Sequence, residues 1–339
     1  MSEGQSTSIS PVAATAETVA RAATLLHEGG LVAFPTETVY GLGADASNPD
    51  AVNKIFAVKG RPAEHPLIVH LPDSSHFEVW ARNVPDAAHQ LAEAFMPGAL
   101  TLILERSPNV SDVVTGRQDT VGLRVPSHEV ALSLLKEFGG GIAAPSANRF
   151  GRISPTQAAH VAEELGDSAD LILDGGACEV GLESTILDLS SGIAKVLRPG
   201  GIDIDAITDV LEYAPEVIKT SNVRASGTLE SHYAPSTPSF LVSAQQVDNL
   251  ARTASEKTGF VSQRLKPGWV NGQWQALPAE PRKYGQALYA ALRELDSAGL
   301  ESIYIEAVPN SPEWLAGRDR LRRATVDKVE VSAADLESR

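Results

Sequence analysis

The stretch LVAFPTETVYGLGADA, residues 31–46, begins with four apolar residues that are typical of a buried strand and continues into small residues. Gly41, Gly43 and Ala46 loosely match the G-x-G-x-x-A fingerprint of dinucleotide-binding proteins. That fingerprint should stand directly between a strand and a helix, with an acidic residue about 20 positions further on. Here SNPD intervenes before the next helix, and Glu64 is a poor candidate for the acidic residue. We therefore favour a turn that needs small residues over a dinucleotide site.

Strand and helix patterns alternate on both sides of this stretch, which predicts an α/β fold with a large mixed sheet. Residues 15–28 are predicted to form a helix that ends at Gly29-Gly30, with one apolar face made of Val19, Ala22, Ala23 and Leu26. Further strands are predicted at 66–71, 99–105, 120–126, 141–146, 171–174, 184–190 and 195–199. Further helices are predicted at 49–58, 85–95, 128–138, 155–165 and 203–213.

Residues 214–239 interrupt this alternation, because they are rich in Pro, Ser, Thr and Gly and show little periodicity. After them, a second pattern predicts a small Rossmann-like domain with a parallel sheet. Its strands are predicted at 240–242, 259–263 and 301–308, and its helices at 244–257, 281–299 and 312–325. The predicted organisation is a disordered tail (1–11), a main domain (12–213), a linker (214–239) and a small α/β domain (240–339).

The composition of the 339 residues limits the possible classes of protein. Cys178 is the only cysteine, which excludes an intrachain disulfide and argues against a cysteine-based zinc site. No apolar run reaches the length of about 18 residues that a membrane span requires, and MSEGQSTSIS does not resemble a signal peptide, so we expect a cytoplasmic protein. The net charge of −15 argues against broad nucleic-acid binding, but it leaves room for an anionic small molecule in a locally basic pocket.

The segment KGRPAEHPLIVH, residues 59–70, gathers basic groups around a turn that leads into a strand. Lys59 supplies a compact charge and Arg61 a planar fork, a combination that suits a polyphosphate. The alternative is a solvated basic loop. His65 lies in the same turn, and His70 ends the strand, where a histidine is by default structural with its hydrogen bonds satisfied.

Other polar residues stand at the ends of predicted strands. Arg124 lies in the apolar strand TVGLRVP and needs an anionic partner, which could be another side chain or a ligand carboxylate. Ser146 and Asn148 follow a strand, where they could bind a ligand or form a turn. Ser154 precedes a proline, which suits the start of a helix.

Three more segments stand out, and several common signatures are absent. GLESTILD contains Ser184, LRPGGI contains Arg198, and SHYAP (231–235) places His and Tyr in the linker, where a passive tether would not need them. The sequence contains no P-loop motif, no G-x-S-x-G nucleophile elbow and no H-E-x-x-H zinc motif. No Asp/Glu pair stands out as a general acid and base.

Taken together, these segments resemble the L-threonylcarbamoyladenylate synthases, whose catalytic part is the YrdC-like domain. The motifs that carry the resemblance follow in family order: PTETVYGLG, Lys59-Gly60-Arg61, HPLIVH, VGLRVP, Ser146-Ala147-Asn148, LESTILD, LRPG and SHYAP. The resemblance is strong over about 12–235 and weaker over the C-terminal part, which is similar to the extra domain of the long, two-domain form. It implies a twisted mixed sheet with a concave, locally positive cavity.

The resemblance also implies a reaction, in which L-threonine, bicarbonate and ATP give threonylcarbamoyl-AMP, pyrophosphate and water. A carbamate formed on threonine would attack the α-phosphorus of ATP, so no covalent enzyme intermediate is expected. Mg²⁺ would accompany ATP, and no other cofactor is implied. The product would pass to a tRNA threonylcarbamoyl transferase complex that modifies the adenosine next to the anticodon.

The family's site residues can be assigned to matching positions. The implied threonine contacts are Thr38, His70, Arg124, Ser184 and the backbone of Ala144. The implied ATP contacts are Lys59, Arg61, Ser146, Asn148 and Arg198, of which the first four would be catalytic, with His65, Thr120 and Ser154 as further neighbours. Tyr233 in the linker would fold over the nucleotide as part of a lid. Ser226 departs from the pattern, because a proline is expected beside the glycine there.

The sequence leaves two alternatives open. The first is an RNA-binding accessory factor that uses the concave face, although tRNA binding would be weak at this net charge. The arginine cluster of the last predicted helix could serve it, but such a cluster is more often a solvated helix face; it comprises Arg318, Arg320, Arg322 and Arg323. The second is a carbamoyltransferase of hydrogenase maturation, which would carry zinc-finger and acylphosphatase segments that this sequence lacks.

Overall fold

The computed structural model describes residues 9–218, 221, 223–227 and 232–326. Within these residues the chain forms two compact units. The first unit comprises the described residues up to 150 and from 154 to 227, and the second comprises 151–153 and 232–326. The boundary between 227 and 232 lies inside the segment that was predicted to be a linker, and part of the predicted SHYAP motif, Ser231, falls outside the described residues.

The first unit contains strands and helices in alternation. Its strands are β1 (Val12–Ala13), β2 (Val32–Phe34), β3 (Gly41–Asp45), β4 (Ile68–His70), β5 (Leu100–Glu105), β6 (Thr120–Arg124), β7 (Ile142–Ala143), β8 (Leu171–Asp174), β9 (Thr185–Asp188), β10 (Lys195–Arg198) and β11 (Glu216–Val217). Its helices are α1 (Ala16–His27), α2 (Pro49–Lys59), α3 (Phe77–Trp80), α4 (Asp86–Phe95), α5 (Asp112–Thr115), α6 (Glu129–Phe138), α7 (Ala158–Leu165) and α8 (Ile204–Leu211). Two 3₁₀ turns lie at Ser74–His76 and Gly166–Ser168.

Among the described residues, the eleven strands of this unit form one sheet in the order β1-β8-β2-β3-β7-β4-β6-β5-β9-β10-β11. The sheet is mixed: β4 and β6 are parallel, whereas β5 and β6 are antiparallel. The predicted α/β fold with a large mixed sheet is therefore confirmed.

Helix α1 illustrates why the predicted helices form. Thr15 caps its N-terminus by accepting a hydrogen bond from the amide of Thr18, whose side chain bonds back to the amide of Thr15. The four residues predicted to form its apolar face are all buried, in a cluster with Leu134 and Leu135 of α6. The predicted apolar face is therefore confirmed.

The glycine-rich stretch proved to be a strand, and the predicted turn is wrong. Residues Gly41–Asp45 form β3, which pairs antiparallel with β2. A Cβ atom on Gly43 would lie 2.8 Å from Phe34 Cε1 and 2.8 Å from Ile142 Cγ2. The glycine is needed because neighbouring side chains approach the backbone closely, and not for a turn or a dinucleotide site.

Two other boundaries differ from prediction. Helix α7 begins at Ala158 and not at Pro155, because Ser154 turns inward to bond Glu183 and the carbonyl of Pro155 accepts a hydrogen bond from the amide of Tyr40. In the predicted linker, Glu216–Val217 form β11, which pairs parallel with β10. The first part of that segment therefore belongs to the large sheet.

The second unit is a small α/β domain. Its strands are β12 (Ser239–Val242), β13 (Thr258–Ser262), β14 (Gln273–Ala276) and β15 (Ser302–Glu306). Its helices are α9 (Ala244–Arg252), α10 (Pro281–Ser297) and α11 (Leu315–Ala324), with a 3₁₀ turn at Pro312–Trp314. The described strands pair in parallel in the order β12-β15-β13-β14, as expected for a parallel sheet. Strand β14 was not predicted, because its partly exposed sequence QWQA lacks an apolar run.

The arginine cluster of α11 is not a solvated face, so that interpretation is wrong for two of its members. Arg320 is fully buried and Arg323 is nearly so, and both pair with Asp319. The guanidinium of Arg320 also lies 5.1 Å from the ring centre of Tyr233. Within the described part of the chain, no helix is both long and apolar enough to cross a membrane.

Candidate functional site

The loop after β2 is a buried, hydrogen-bonded turn of polar residues. Thr36, Glu37 and Thr38 are all at most 4% exposed. The hydroxyl of Thr36 donates to the carbonyl of Val39 at 2.7 Å, and its oxygen lies 2.8 Å from the hydroxyl oxygen of Thr38. The hydroxyl of Thr38 is thereby held in one orientation beside β2. The structure thus places this predicted threonine contact in a buried, hydrogen-bonded loop.

Arg124, at the end of β6, has a buried anionic partner within the protein. Its Nη2 donates to Oε1 of Glu37 at 2.6 Å, and its Nε donates to the carbonyl of Gly98 at 3.2 Å. Oε2 of Glu37 accepts the amide of Ser127 at 3.1 Å. Sequence reasoning missed Glu37, although it stands inside the PTETVYGLG motif and Arg124 was known to need a carboxylate.

His70 lies next to Arg124, because the two residues are partners in the register of β4 and β6. The imidazole is buried, and burial, followed by the charge of Arg124, lowers its pKa to about 3. It is therefore neutral at physiological pH. Among the described residues, no group forms a hydrogen bond with its Nδ1. At Nδ1, the expectation of a structural histidine with satisfied hydrogen bonds is therefore not met.

Lys59, Ser146 and Asn148 are joined by direct hydrogen bonds. The Lys59 ammonium donates to the carbonyl of Ser146 at 2.6 Å and to the carbonyl of Asn148. Lys59 ends α2, and the other two residues follow β7. Burial lowers the pKa of Lys59 well below its usual value, and the charge of Arg61 acts in the same direction.

Arg61 is buried between a backbone carbonyl, a hydroxyl and an aromatic ring. Its Nη2 donates to the carbonyl of Pro66 at 2.9 Å and to the hydroxyl of Ser226 at 3.0 Å. Its guanidinium lies 5.9 Å from the ring centre of Phe150, which His65 meets edge-on. Partial burial lowers the pKa of His65, as does the charge of Arg61. The expectation of a solvated basic loop is therefore wrong for Arg61.

Arg198 connects a predicted threonine contact to the segment after β11. Its Nη2 donates to the carbonyl and to the hydroxyl of Ser184, at 2.9 and 3.1 Å. Its Nη1 donates to the carbonyl of Ser226 at 2.9 Å. The hydroxyl of Ser184 also lies 2.7 Å from that of Thr101 on β5. Arg61 and Arg198 therefore both bind Ser226, the residue that stands where a proline was expected.

The segment 223–227 lies along one side of these arginines. The side-chain amide of Gln118 bonds the backbone of Arg224 twice: its Nε2 donates to the carbonyl at 3.0 Å, and its Oε1 accepts the amide at 2.7 Å. Ala225 packs into an apolar cluster with Ile68, Ile103, Ile186 and Leu197. A small cavity next to it is lined by Thr120, Gly122 and Ser226, among others. Thr120 therefore faces the space beside Ser226.

The remaining predicted contacts are placed differently. The hydroxyl of Ser154 donates to Glu183 at 2.7 Å, and the amide of Ala144 donates to the carbonyl of Ile68 at 3.0 Å. Tyr233 belongs to the second unit, where it is buried and stacks on Tyr289 with 5.8 Å between ring centres. Its predicted role at the nucleotide stays a prediction.

Comparison with known proteins gives consistent results over most of the chain. A family model described as "Telomere recombination" (Sua5_yciO_yrdC) matches residues 24–200. A second model, described as "Threonylcarbamoyl-AMP synthase, C-terminal domain", matches residues 195–326. The chain is 41% identical to the threonylcarbamoyl-AMP synthase of Pyrococcus abyssi, over 90% of this chain and 93% of that protein. It is 39% identical to the enzyme of the same name from Bacillus subtilis, over 92% of this chain and 94% of that protein.

A solved structure is also similar. The crystal structure of P. abyssi Sua5 complexed with L-threonine matches with a TM-score of 0.86 at 37% sequence identity, over 92% of this chain and 95% of that chain. These matches confirm the resemblance that the ordered motifs indicated.

Proposed function

The chain belongs to the threonylcarbamoyl-AMP synthase family, and we propose that it converts L-threonine, bicarbonate and ATP into threonylcarbamoyl-AMP, pyrophosphate and water. The product is an activated acyl donor, which a tRNA threonylcarbamoyl transferase complex would use to modify the adenosine next to the anticodon. The reaction would take place in the cytoplasm.

The observation that carries this proposal is the arrangement of Arg61, Arg198 and Ser184. Two buried guanidinium groups converge on Ser226, and one of them also holds Ser184. Planar guanidinium forks suit the paired oxygens of a polyphosphate. The chain thus concentrates basic groups at one place although its net charge is −15. Such an arrangement fits a site for ATP next to a site for a small amino acid.

Arg124 is well suited to hold the carboxylate of threonine. A guanidinium has five N–H donors. Among the described residues, Glu37 and Gly98 accept hydrogen bonds from two of the donors of Arg124. The outer end of the fork can therefore bind a second carboxylate. The neutral imidazole of His70 and the hydroxyl of Thr38 would contact the rest of the amino acid.

The chemistry needs no protein nucleophile. The neutral amine of threonine would take up bicarbonate with loss of water, which gives a carbamate. A carbamate oxygen would then form a bond to the α-phosphorus of ATP, as the bond from that phosphorus to the bridging oxygen breaks and pyrophosphate leaves. Lys59, Arg61 and Arg198 would neutralise the charge that develops on the phosphates, and Ser146 and Asn148 would orient them. We expect Mg²⁺ to enter on the phosphates of ATP.

The test is pyrophosphate release from ATP by the purified full-length protein, with threonine and bicarbonate each present or omitted. Release that needs both is the expected result. Release that needs neither, or no release in any combination, would overturn the proposal. An Asn148→Ala variant serves as the impaired comparison. Lys54→Ala, on the exposed side of the same helix as Lys59, is the matched control and should keep wild-type activity.

A further inference from the structure

We propose that Glu37 is a positioning residue, which aims the guanidinium of Arg124 at the carboxylate of threonine. This inference rests on the proposed function, because it assigns Arg124 to threonine. Glu37 would not touch the substrate itself and would act through Arg124. Glu37 would act by fixing the direction of the fork before the substrate arrives.

The ion pair of Glu37 and Arg124 fixes the direction of the guanidinium group. The carboxylate of Glu37 binds two groups near the end of β6, the guanidinium of Arg124 through Oε1 at 2.6 Å and the amide of Ser127 through Oε2 at 3.1 Å. Arg124 is held on the same edge by the carbonyl of Gly98, which accepts from Nε at 3.2 Å. Nε and Nη2 are thus both engaged, so the planar group cannot turn about its long axis without breaking a bond.

Glu37 is itself held in place by hydrogen bonds of its own loop. Its backbone carbonyl accepts the amide of Val180 at 2.7 Å, and its neighbours Thr36 and Thr38 are bonded to each other. Both side chains of the ion pair are about 5% exposed. A buried charge-assisted hydrogen bond in a rigid setting defines direction well. An ion pair of solvated, mobile side chains would not define the direction of the guanidinium group.

Glu37 also balances the charge of Arg124. An unpaired guanidinium at this depth would be costly, so Arg124 alone would turn towards other carbonyls or water. Glu37 cancels its charge while leaving Nη1 and one N–H of Nη2 without an acceptor among the described residues. The site therefore offers oriented N–H donors of Arg124, whose positive charge is balanced by Glu37. This arrangement favours a ligand whose carboxylate lies in one defined position over anions that lack a carboxylate in that position.

The experiment compares the binding of L-threonine with that of L-threoninamide, which lacks the carboxylate, by calorimetry on the full-length protein. In Glu37→Ala, we expect the affinity for threonine to fall about ten- to a hundredfold, as for the loss of a hydrogen bond to a charged group. The affinity for threoninamide should change by less than about threefold. Glu37→Gln still offers an oxygen to Arg124, so it should restore part of the preference and should also remain folded.

Two results would overturn the inference. A loss of affinity for both ligands by the same factor in Glu37→Gln would indicate a purely structural role. Unchanged affinity for threonine in Glu37→Ala would show that the guanidinium of Arg124 does not need Glu37 to hold its direction. The companion variant Arg124→Ala separates this from the proposed function: if it leaves the preference for threonine over threoninamide unchanged, the assignment of the threonine pocket itself is wrong.

Discussion

His70 and Arg124 face each other at the ends of the neighbouring parallel strands β4 and β6, as partners in the strand register. Residues that are paired in this way project from the same face of a sheet. A neutral imidazole and a charged guanidinium therefore stand side by side, both nearly excluded from solvent. This relationship determines what each residue can do, and it leads to several testable expectations.

Arg124→Ala should raise the KM for threonine by about tenfold or more, the usual effect of losing a hydrogen bond to a charged group. The KM for ATP should stay within about twofold of the wild-type value, because Lys59, Arg61 and Arg198 remain. Steady-state pyrophosphate release, with each substrate varied in turn, measures both quantities. Unchanged threonine use would contradict the assignment.

His70 should make stability depend on pH. The pKa of its imidazole is about 3 in the folded protein and about 6.5 in the unfolded chain, so the unfolded chain binds more protons between these values. The free energy of unfolding should therefore be highest above about pH 6.5 and should fall as the pH is lowered towards 3. Urea unfolding at pH 7.5 and pH 4.5 measures the loss. His70→Gln should lose clearly less stability over that interval than the wild type, and an equal loss would contradict the prediction.

Tyr284 and Tyr40 should respond in opposite ways to removal of the hydroxyl group. The hydroxyl of Tyr284 is buried, and no described residue forms a hydrogen bond with it. Tyr284→Phe, which keeps the ring contact with Trp314, should leave stability unchanged or raise it by up to about 1 kcal/mol.

In contrast, the hydroxyl of Tyr40 donates to the carbonyl of Gly176 at 2.7 Å and accepts the amide of Gly175 at 3.3 Å. Tyr40→Phe should therefore lower stability by about 1 kcal/mol. Guanidinium unfolding followed by tryptophan fluorescence would measure both variants. Equal losses in the two would argue against the difference in hydrogen bonding.

Gln118 should hold the segment 223–227 against the rest of the first unit. The two hydrogen bonds of its side-chain amide to the backbone of Arg224 would be lost in Gln118→Ala, so local opening of the segment should become more frequent. Trypsin should then cut after Arg224 several-fold faster, as followed by mass spectrometry of the fragments. Gln273→Ala, at an exposed position of β14, is the matched control, and trypsin should cut it after Arg224 at the wild-type rate. An unchanged rate in Gln118→Ala would show that other contacts hold the segment.

The local pattern of the chain was enough to predict most regular elements. The apolar face of α1 follows from side chains three and four residues apart, and such short-range periodicity is visible in one dimension. The large mixed sheet and the small parallel sheet could be expected for the same reason. Strand β3 could not be predicted in this way, because its Gly43 is explained by the close approach of Phe34 and Ile142.

The sequence by itself determined the family and predicted most of the candidate site, because the motifs follow in order and their residue types are those that bind anions. Tertiary structure decided which partner each buried charge has. Glu37 lies 87 positions from Arg124, and Ser226 lies 165 positions from Arg61, so no local pattern could pair them. Buried charges and polar atoms must find partners wherever the fold brings them together, and only the folded chain shows where that is.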